Sequence, residues 1–479
     1  MLFNSINFAI FFPLVFFIYW LILKKDFKKQ NIFLLLVSYF FYACWDWRFM
    51  FLLAISTILC YYGGLKVSTS TTHKSRKAWM LISVIVNIGF LGFFKYFNFF
   101  IESFQEFLLL FGLTPHIHTL QIILPVGISF YTFHGLSYVL DIYNEKIKPT
   151  KSWIDYSLFV SFFPLLVAGP IERATHLLPQ ITEKRIFNYR KMVDGLKQIL
   201  WGLFKKIVIA DGCAEYVNPI FNNPADQSGS TLVLAAIFFA FQIYGDFSGY
   251  TDIALGTARM LGFELLQNFK FPYFSRNINE FWSRWHISLT SWFRDYLYIP
   301  LGGSKGGKLK TLINTYIIFI VSGLWHGANW TFIVWGALHA VFVTPSIVFN
   351  TKKKYKEIVA YDRKLPTPLE FGNIVITFLL VALALVFFRS DSIQDAFVYF
   401  AHIPNDFLVL PYLSTKAKIS SGLLILMLVV EWNGRRGKYA LEYFGEKKGT
   451  FFRWGFYYLL ILLLILFAGG QQAFIYFQF

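Results

Sequence analysis

Long apolar runs, separated by short segments rich in lysine and arginine, dominate this chain of 479 residues. A run of roughly 18 or more apolar residues is long enough to cross the hydrocarbon core of a bilayer. Hydrophobic residues make up 56% of the chain and charged residues 15%, against about 25% charged in an average soluble domain. A single soluble core of this size could not hide so much apolar surface. The pattern predicts an all-α polytopic membrane protein, because a helix satisfies its backbone hydrogen bonds internally. No soluble domain, fixed-period repeat or low-complexity segment interrupts it, so residues 1–479 read as a single integral membrane domain.

The net charge of +17 fits basic cytoplasmic loops that meet anionic lipid headgroups. No basic stripe interleaved with aromatics lies on a soluble segment, so nucleic acid is not an expected partner. The three cysteines, Cys44, Cys60 and Cys213, form no CxxC pair and lie in or beside apolar runs. They suit packing, not a cysteine-built zinc cluster or a disulfide framework. Met1 to Trp20 has neither a basic n-region nor a clear cleavage site and reads as a retained first span.

Basic loops order the spans. Phe8 to Leu23 ends at Lys24, Lys25, Lys28 and Lys29, which places that side in the cytoplasm. Asn31 to Tyr42 leads out, and the next span returns to Lys66, Lys74, Arg76 and Lys77. Met80 to Ile101 leads out, and Leu120 to Ile142 returns to Lys146, Lys148 and Lys151. Tyr156 to Pro170 is apolar with basic flanks and reads as a re-entrant piece. Trp201 to Ala210 and Leu232 to Leu261 read as spans. Asn268 to Lys310, rich in Arg, Trp and Tyr, reads as amphipathic helices on or tucked into the cytoplasmic side. Leu312 to Leu324, Thr331 to Phe349, Asn373 to Phe388, Ile419 to Val430 and Trp454 to Phe467 complete the alternation. Lys352, Lys353, Lys354, Lys356, Arg363, Lys364, Arg435, Arg436, Lys447 and Lys448 fall inside. The expected total is about eleven transmembrane helices plus re-entrant and amphipathic elements.

Polar groups inside a membrane are costly and are functional suspects. They concentrate between Gln242 and His339. One cluster holds Asp246, Ser248 and Asp252 within an apolar helix. A second holds Asn277, Glu280, Trp282, Arg284, Trp285 and His286. A third holds Trp325, His326, Asn329 and Trp330, followed by His339. His326, flanked by Gly323 and Gly327, is the sharpest candidate. A neutral imidazole there could accept a proton from a hydroxyl near pH 7. His286 and His339 are weaker candidates, and the competing reading is a structural histidine satisfied by a neighbouring helix. His116 and His118 sit in a predicted outer loop, where a lone pair is a poor metal site. Gly302 to Lys308 imitates the start of a P-loop, but Leu309 replaces the magnesium-holding hydroxyl. The segment around Ser248 reads GDFSGY, not GxSxG, so it is no nucleophile elbow.

The stretches "FWSRWHISLTSWFRDYLYIPLGG" and "SGLWHGANWTFIVWGALHA" resemble the membrane-bound O-acyltransferase family. "LPVGISFYTFHGLSYVLDIY", "FPLLVAGPIER" and "YGDFSGYTDIALG" resemble its bacterial alginate O-acetyltransferase branch. The likeness runs from about Leu124 to Ala340, so residues 124–340 are the expected catalytic core. It implies the family fold, built around a central tunnel through the membrane. It implies that His326 is the catalytic histidine and His286 the second histidine position. It further implies acetyl-CoA as the donor entering from the cytoplasm, and no metal. The acceptor would be an exopolysaccharide, reached with a secreted or membrane-anchored acetyltransferase partner. The site would be a bacterial cytoplasmic (inner) membrane, crossed many times. Lys270, Arg276, Arg284 and Arg294 would meet the donor phosphates at the cytoplasmic mouth. Asp246, Ser248, Asn277, Trp282, Trp285, Asn329 and Trp330 would line the substrate path. Two other functions compete: a polysaccharide or small-molecule transporter, and a scaffold that anchors a secreted partner without catalysis.

Overall fold

The computed structural model describes residues 1–114, 119–351, 355, 357–411, 413–446, 449–469 and 472–475. His116 and His118, and the loop lysines Lys352, Lys353, Lys354, Lys356, Lys447 and Lys448, lie outside the described residues. Regular structure among the described residues is helical throughout. Among the described residues, seven helices are long and apolar enough to cross a membrane: Trp47–Thr69, His73–Leu109, Gly229–Met260, Trp330–Val348, Pro368–Arg389, Thr415–Gly434 and Thr450–Phe467. Ile6–Ile22 is a shorter apolar helix. The chain is a polytopic, all-helical membrane protein.

Other expected crossings are shorter than their apolar runs, or more polar. The run from Leu120 becomes helical only at Ile128. Pro125 has no amide hydrogen to donate, and Gly127 adopts φ +75° immediately before the helix, a conformation that suits glycine. From Ile128 to Val139 every residue is buried in protein. The segment from Tyr156 to Pro170 breaks at Phe162 into Trp153–Ser161 and Phe163–Leu166. Tyr156 to Ala174 is buried without interruption. Such a broken backbone is tolerated at membrane depth only where protein surrounds it.

The chain divides into two compact units, Met1–Met192 with Ala258–Leu266, and Val193–Thr257 with Gln267–Phe479. The first is held together by buried polar ties as well as apolar packing. Asn31 donates to Asp155 at 2.8 Å and to the Ile181 carbonyl at 2.9 Å, while Arg185 donates to Tyr19 and Asn31, both at 2.6 Å. Glu172 accepts from the Leu266 amide at 2.6 Å and pairs with His176 at 2.9 Å. In a bilayer these ties matter because an unsatisfied polar group there finds no water.

In the second unit a large aromatic and aliphatic core surrounds the Gly229–Met260 helix. Beside it, Phe204–Ala210 forms a π-helical turn in which every residue is buried. Glycines set the distance between these elements. A side chain at Gly202 would come within 2.6 Å of the Gly249 carbonyl, and one at Gly249 within 2.7 Å of the Gly202 carbonyl. Small residues of this kind let membrane helices approach closely. The region Asn268 to Lys310 folds into short pieces, including Ile278–Trp282 and Ile287–Phe293, with most of Phe271 to Phe293 buried.

Candidate active site

Two helices, Gly307–His326 and Trp330–Val348, form the scaffold of the site. They pack against each other through glycine: any side chain at Gly323 would collide with the Phe332 carbonyl, and one at Gly336 with that of Phe319. This close pairing seats His326, the last residue of its helix, beside residues of the next. Its ring lies 5.2 Å from that of Trp335, 4.9 Å from Trp325 and 5.5 Å from Phe388, and the residue is 3% exposed.

His286 approaches from the Asn268–Lys310 region. It caps the Ile287–Phe293 helix with φ +42°, the left-handed region that non-glycine residues seldom occupy. The turn delivers its ring among aromatic rings, 4.7 Å from Phe247 and 5.8 Å from Trp325. The two imidazoles stand edge to face with centroids 6.3 Å apart. Neither ring nitrogen of His286 has a hydrogen-bond partner among the described residues.

A buried pocket joins His326 to His339, walled by Trp285, Trp335, Phe281 and Phe388. His339 was a weaker candidate in the sequence. Its Nδ1 accepts a hydrogen bond from Trp282 Nε1 at 3.3 Å. Trp285 stacks on Phe281, 5.5 Å away. The structure thus brings His326, His286, Trp282 and Trp285 together with the weaker candidate His339, and adds Trp335.

Other candidates serve different neighbours. Asn277 caps the Ile278–Trp282 helix by accepting from the Glu280 amide at 2.8 Å. Asn329 caps Trp330–Val348, accepting from the Thr331 amide and donating to the Asp391 carbonyl at 2.9 Å. Trp330 is 47% exposed. Asp246 and Ser248 are buried, but their partners are two lysines of the π-helical turn. Lys206 contacts Asp246 and Asp211, each at 2.8 Å, and Asp246 also accepts from the Ile475 amide at 2.7 Å. Lys205 contacts Asp252 at 2.7 Å and Ser248 at 2.8 Å, and Gln198 donates to Asp252 at 2.7 Å. A polar pocket beside these groups is also lined by Tyr244, Phe269 and Glu431. Phe269 packs on Trp285 at 5.0 Å, so one aromatic layer separates this pocket from the histidines.

The four basic candidates fall into two kinds. Arg276 and Arg284 both grip Glu280, at 3.1 and 2.7 Å, and each side chain is 8% exposed. Arg276 also reaches Glu370 at 3.3 Å. Lys270 is exposed, and Arg294, 62% exposed, pairs with its neighbour Asp295 at 2.8 Å.

A polytopic helical fold with imidazoles at a buried, aromatic-walled pocket has the make-up of a membrane enzyme. Residues 145–352 match the MBOAT, membrane-bound O-acyltransferase family. The chain is 39% identical over 370 residues to the "probable alginate O-acetylase AlgI" of Pseudomonas aeruginosa, covering 77% of this chain and 68% of the relative. It is 35% identical over 427 residues to the peptidoglycan O-acetyltransferase of Helicobacter pylori, covering 83% and 78%. A teichoic acid D-alanyltransferase of Bacillus subtilis is 30% identical over 256 residues, covering 50% and 64%. The chain belongs to the membrane-bound O-acyltransferase family, and it is an O-acyltransferase.

Proposed function

We propose that the protein takes an acetyl group from acetyl-CoA at the cytoplasmic side and passes it to a hydroxyl on the opposite side. The final acceptor is a cell-envelope polysaccharide, reached directly or through a secreted or membrane-anchored acetyltransferase. The membrane is the cytoplasmic membrane of a bacterium. The relatives named as acetylases of alginate and peptidoglycan support this choice of acyl group and acceptor.

The observation that carries the reading is the pairing of His326 and His286 at 6.3 Å, with His326 at the pocket wall. His326 acts as general base. It takes the proton of the acceptor hydroxyl as that oxygen attacks the thioester carbon. A carbon–oxygen bond forms, the carbon–sulfur bond breaks, and the proton passes from His326 to the departing thiolate. No net proton is released. Aromatic walls exclude water, which would otherwise hydrolyse the thioester. The exposed cations of Lys270 and Arg294 attract the donor phosphates, while Arg276 and Arg284 hold their own segment in place.

The test is transfer from labelled acetyl-CoA by purified protein. Removing a general base costs about 10²- to 10⁴-fold in rate, so a folded His326→Ala protein should lose turnover on that scale. Near-normal turnover in that variant would remove His326 from the chemistry.

A further inference from the structure

The pocket at His326 contains two buried N–H groups that have no acceptor among the described residues. One belongs to His339. The Trp282 indole is a donor only, so the Nδ1 of His339 must be the acceptor in their 3.3 Å hydrogen bond. An imidazolium would turn an N–H toward that N–H, and the contact therefore selects the neutral ring. A neutral ring that accepts at Nδ1 carries its proton on Nε2. That Nε2 is buried and has no hydrogen-bond partner among the described residues, and His339 is 1% exposed. The second donor is the indole Nε1 of Trp335, also buried and without a partner among the described residues. The Trp335 ring lies 5.0 Å from His339 and 5.2 Å from His326, and all three residues line one pocket.

An unsatisfied buried donor costs about 1–3 kcal/mol. Two such donors in an otherwise apolar pocket call for an acceptor supplied by a ligand. The reacting carbonyl oxygen is that kind of acceptor, and it becomes more basic as the reaction proceeds. The geometry points to His339 and Trp335 as the oxyanion site of the transfer, with Trp282 as a positioning residue that fixes the His339 tautomer. When the acceptor oxygen adds to the thioester carbon, the carbonyl π pair moves onto oxygen. The two N–H groups stabilise that charge until the carbon–sulfur bond breaks and the carbonyl re-forms. This inference rests on the acyl-transfer reading and assigns His339 a role different from that of His326, since its Nε2 gives a hydrogen bond and takes no proton.

The experiment compares His339→Phe, His339→Gln, Trp335→Phe and Trp282→Phe with the wild type, using purified protein in lipid nanodiscs and acetyl-CoA. Loss of one oxyanion donor costs about 10²- to 10³-fold in kcat. His339→Phe fills the space without an N–H and should show that loss with little change in the donor KM. His339→Gln keeps an N–H and should recover part of the rate. Trp335→Phe should also lower kcat, and Trp282→Phe should lower it less. If Phe at position 339 restores stability and turns over as fast as the wild type, the ring is only packing and the proposal fails. A second measurement is independent of the donor. ¹⁵N NMR of histidine-labelled protein, with His339→Gln for assignment, should show His339 protonated on Nε2, and protonation on Nδ1 would overturn the proposal. If wild-type protein cannot use acetyl-CoA, the donor assignment falls while the tautomer still decides this one.

Discussion

Lys206 stands between Asp211 and Asp246, 2.8 Å from a carboxylate oxygen of each, with 1% of its side chain exposed. One residue earlier, Lys205 makes the matching contacts to Asp252 and Ser248. Consecutive residues thus neutralise two stretches of the same facing helix. The ties fix the Gly229–Met260 helix, whose Phe247 packs on His286.

Removing one member of a buried ion pair leaves an uncompensated charge and costs about 3–5 kcal/mol. Lys206→Met should therefore lower the thermal unfolding temperature of the detergent-purified protein markedly. The double variant Lys206→Met, Asp246→Asn should regain part of the loss, because fewer charges are stranded. A Lys206→Met protein as stable as the wild type would show that the triad contributes nothing.

Of the four cations proposed to meet the donor, Lys270 and Arg294 are exposed while Arg276 and Arg284 are held by Glu280. Lys270→Ala and Arg294→Ala should raise the KM for acetyl-CoA and leave kcat nearly unchanged, and added salt should shrink the effect. Arg284→Ala should instead destabilise the protein, because it takes one of two partners from buried Glu280. Unchanged donor KM in both Lys270→Ala and Arg294→Ala would return that face to a structural role.

His176 provides a test of pH dependence outside the spanning helices. The hydrogen bond it donates to the Glu172 carboxylate raises its pKa above the ordinary 6.5, against the opposing effect of burial. A group whose folded pKa is raised stabilises the fold fully below its unfolded value, and that contribution is lost as pH rises through the folded value. The stability advantage of wild type over His176→Gln should therefore be largest below about pH 6.5 and shrink as pH rises through the folded value. Unfolding temperatures of the two proteins across that range give the answer, and an advantage that grows with pH would contradict it.

How much of this was legible beforehand varied with the kind of signal. His326 and His286 stood out because a membrane interior makes imidazoles conspicuous and because flanking glycines and tryptophans marked their surroundings. Lys205 and Lys206 were passed over inside an apparently simple span, although intramembrane charge is itself a warning. Only the structure shows the carboxylates they serve. Arg276 and Arg284 looked like free cations, yet each lies four residues from Glu280, the spacing at which helical side chains meet. Asn329 and Trp330 shared a motif with His326 but begin a new helix, where an asparagine's capping role is the commoner one. The Trp282 contact of His339 was not legible, because nothing in a linear pattern reveals which nitrogen a distant tryptophan will engage.

The π-helical turn from Phe204 to Ala210 accommodates one residue more than an α-helical turn. It is, in effect, a single-residue insertion kept in register by the surrounding bundle. Deleting one residue there would let the backbone close into ordinary helix. Everything beyond it would then rotate by about 100°, the angle between neighbouring α-helical residues. The amino-acid composition would scarcely change, yet the lysines would no longer face their carboxylates together. A reading frame of this kind, written in helical phase instead of nucleotides, makes the protein far less tolerant of a deletion at that point than of a substitution.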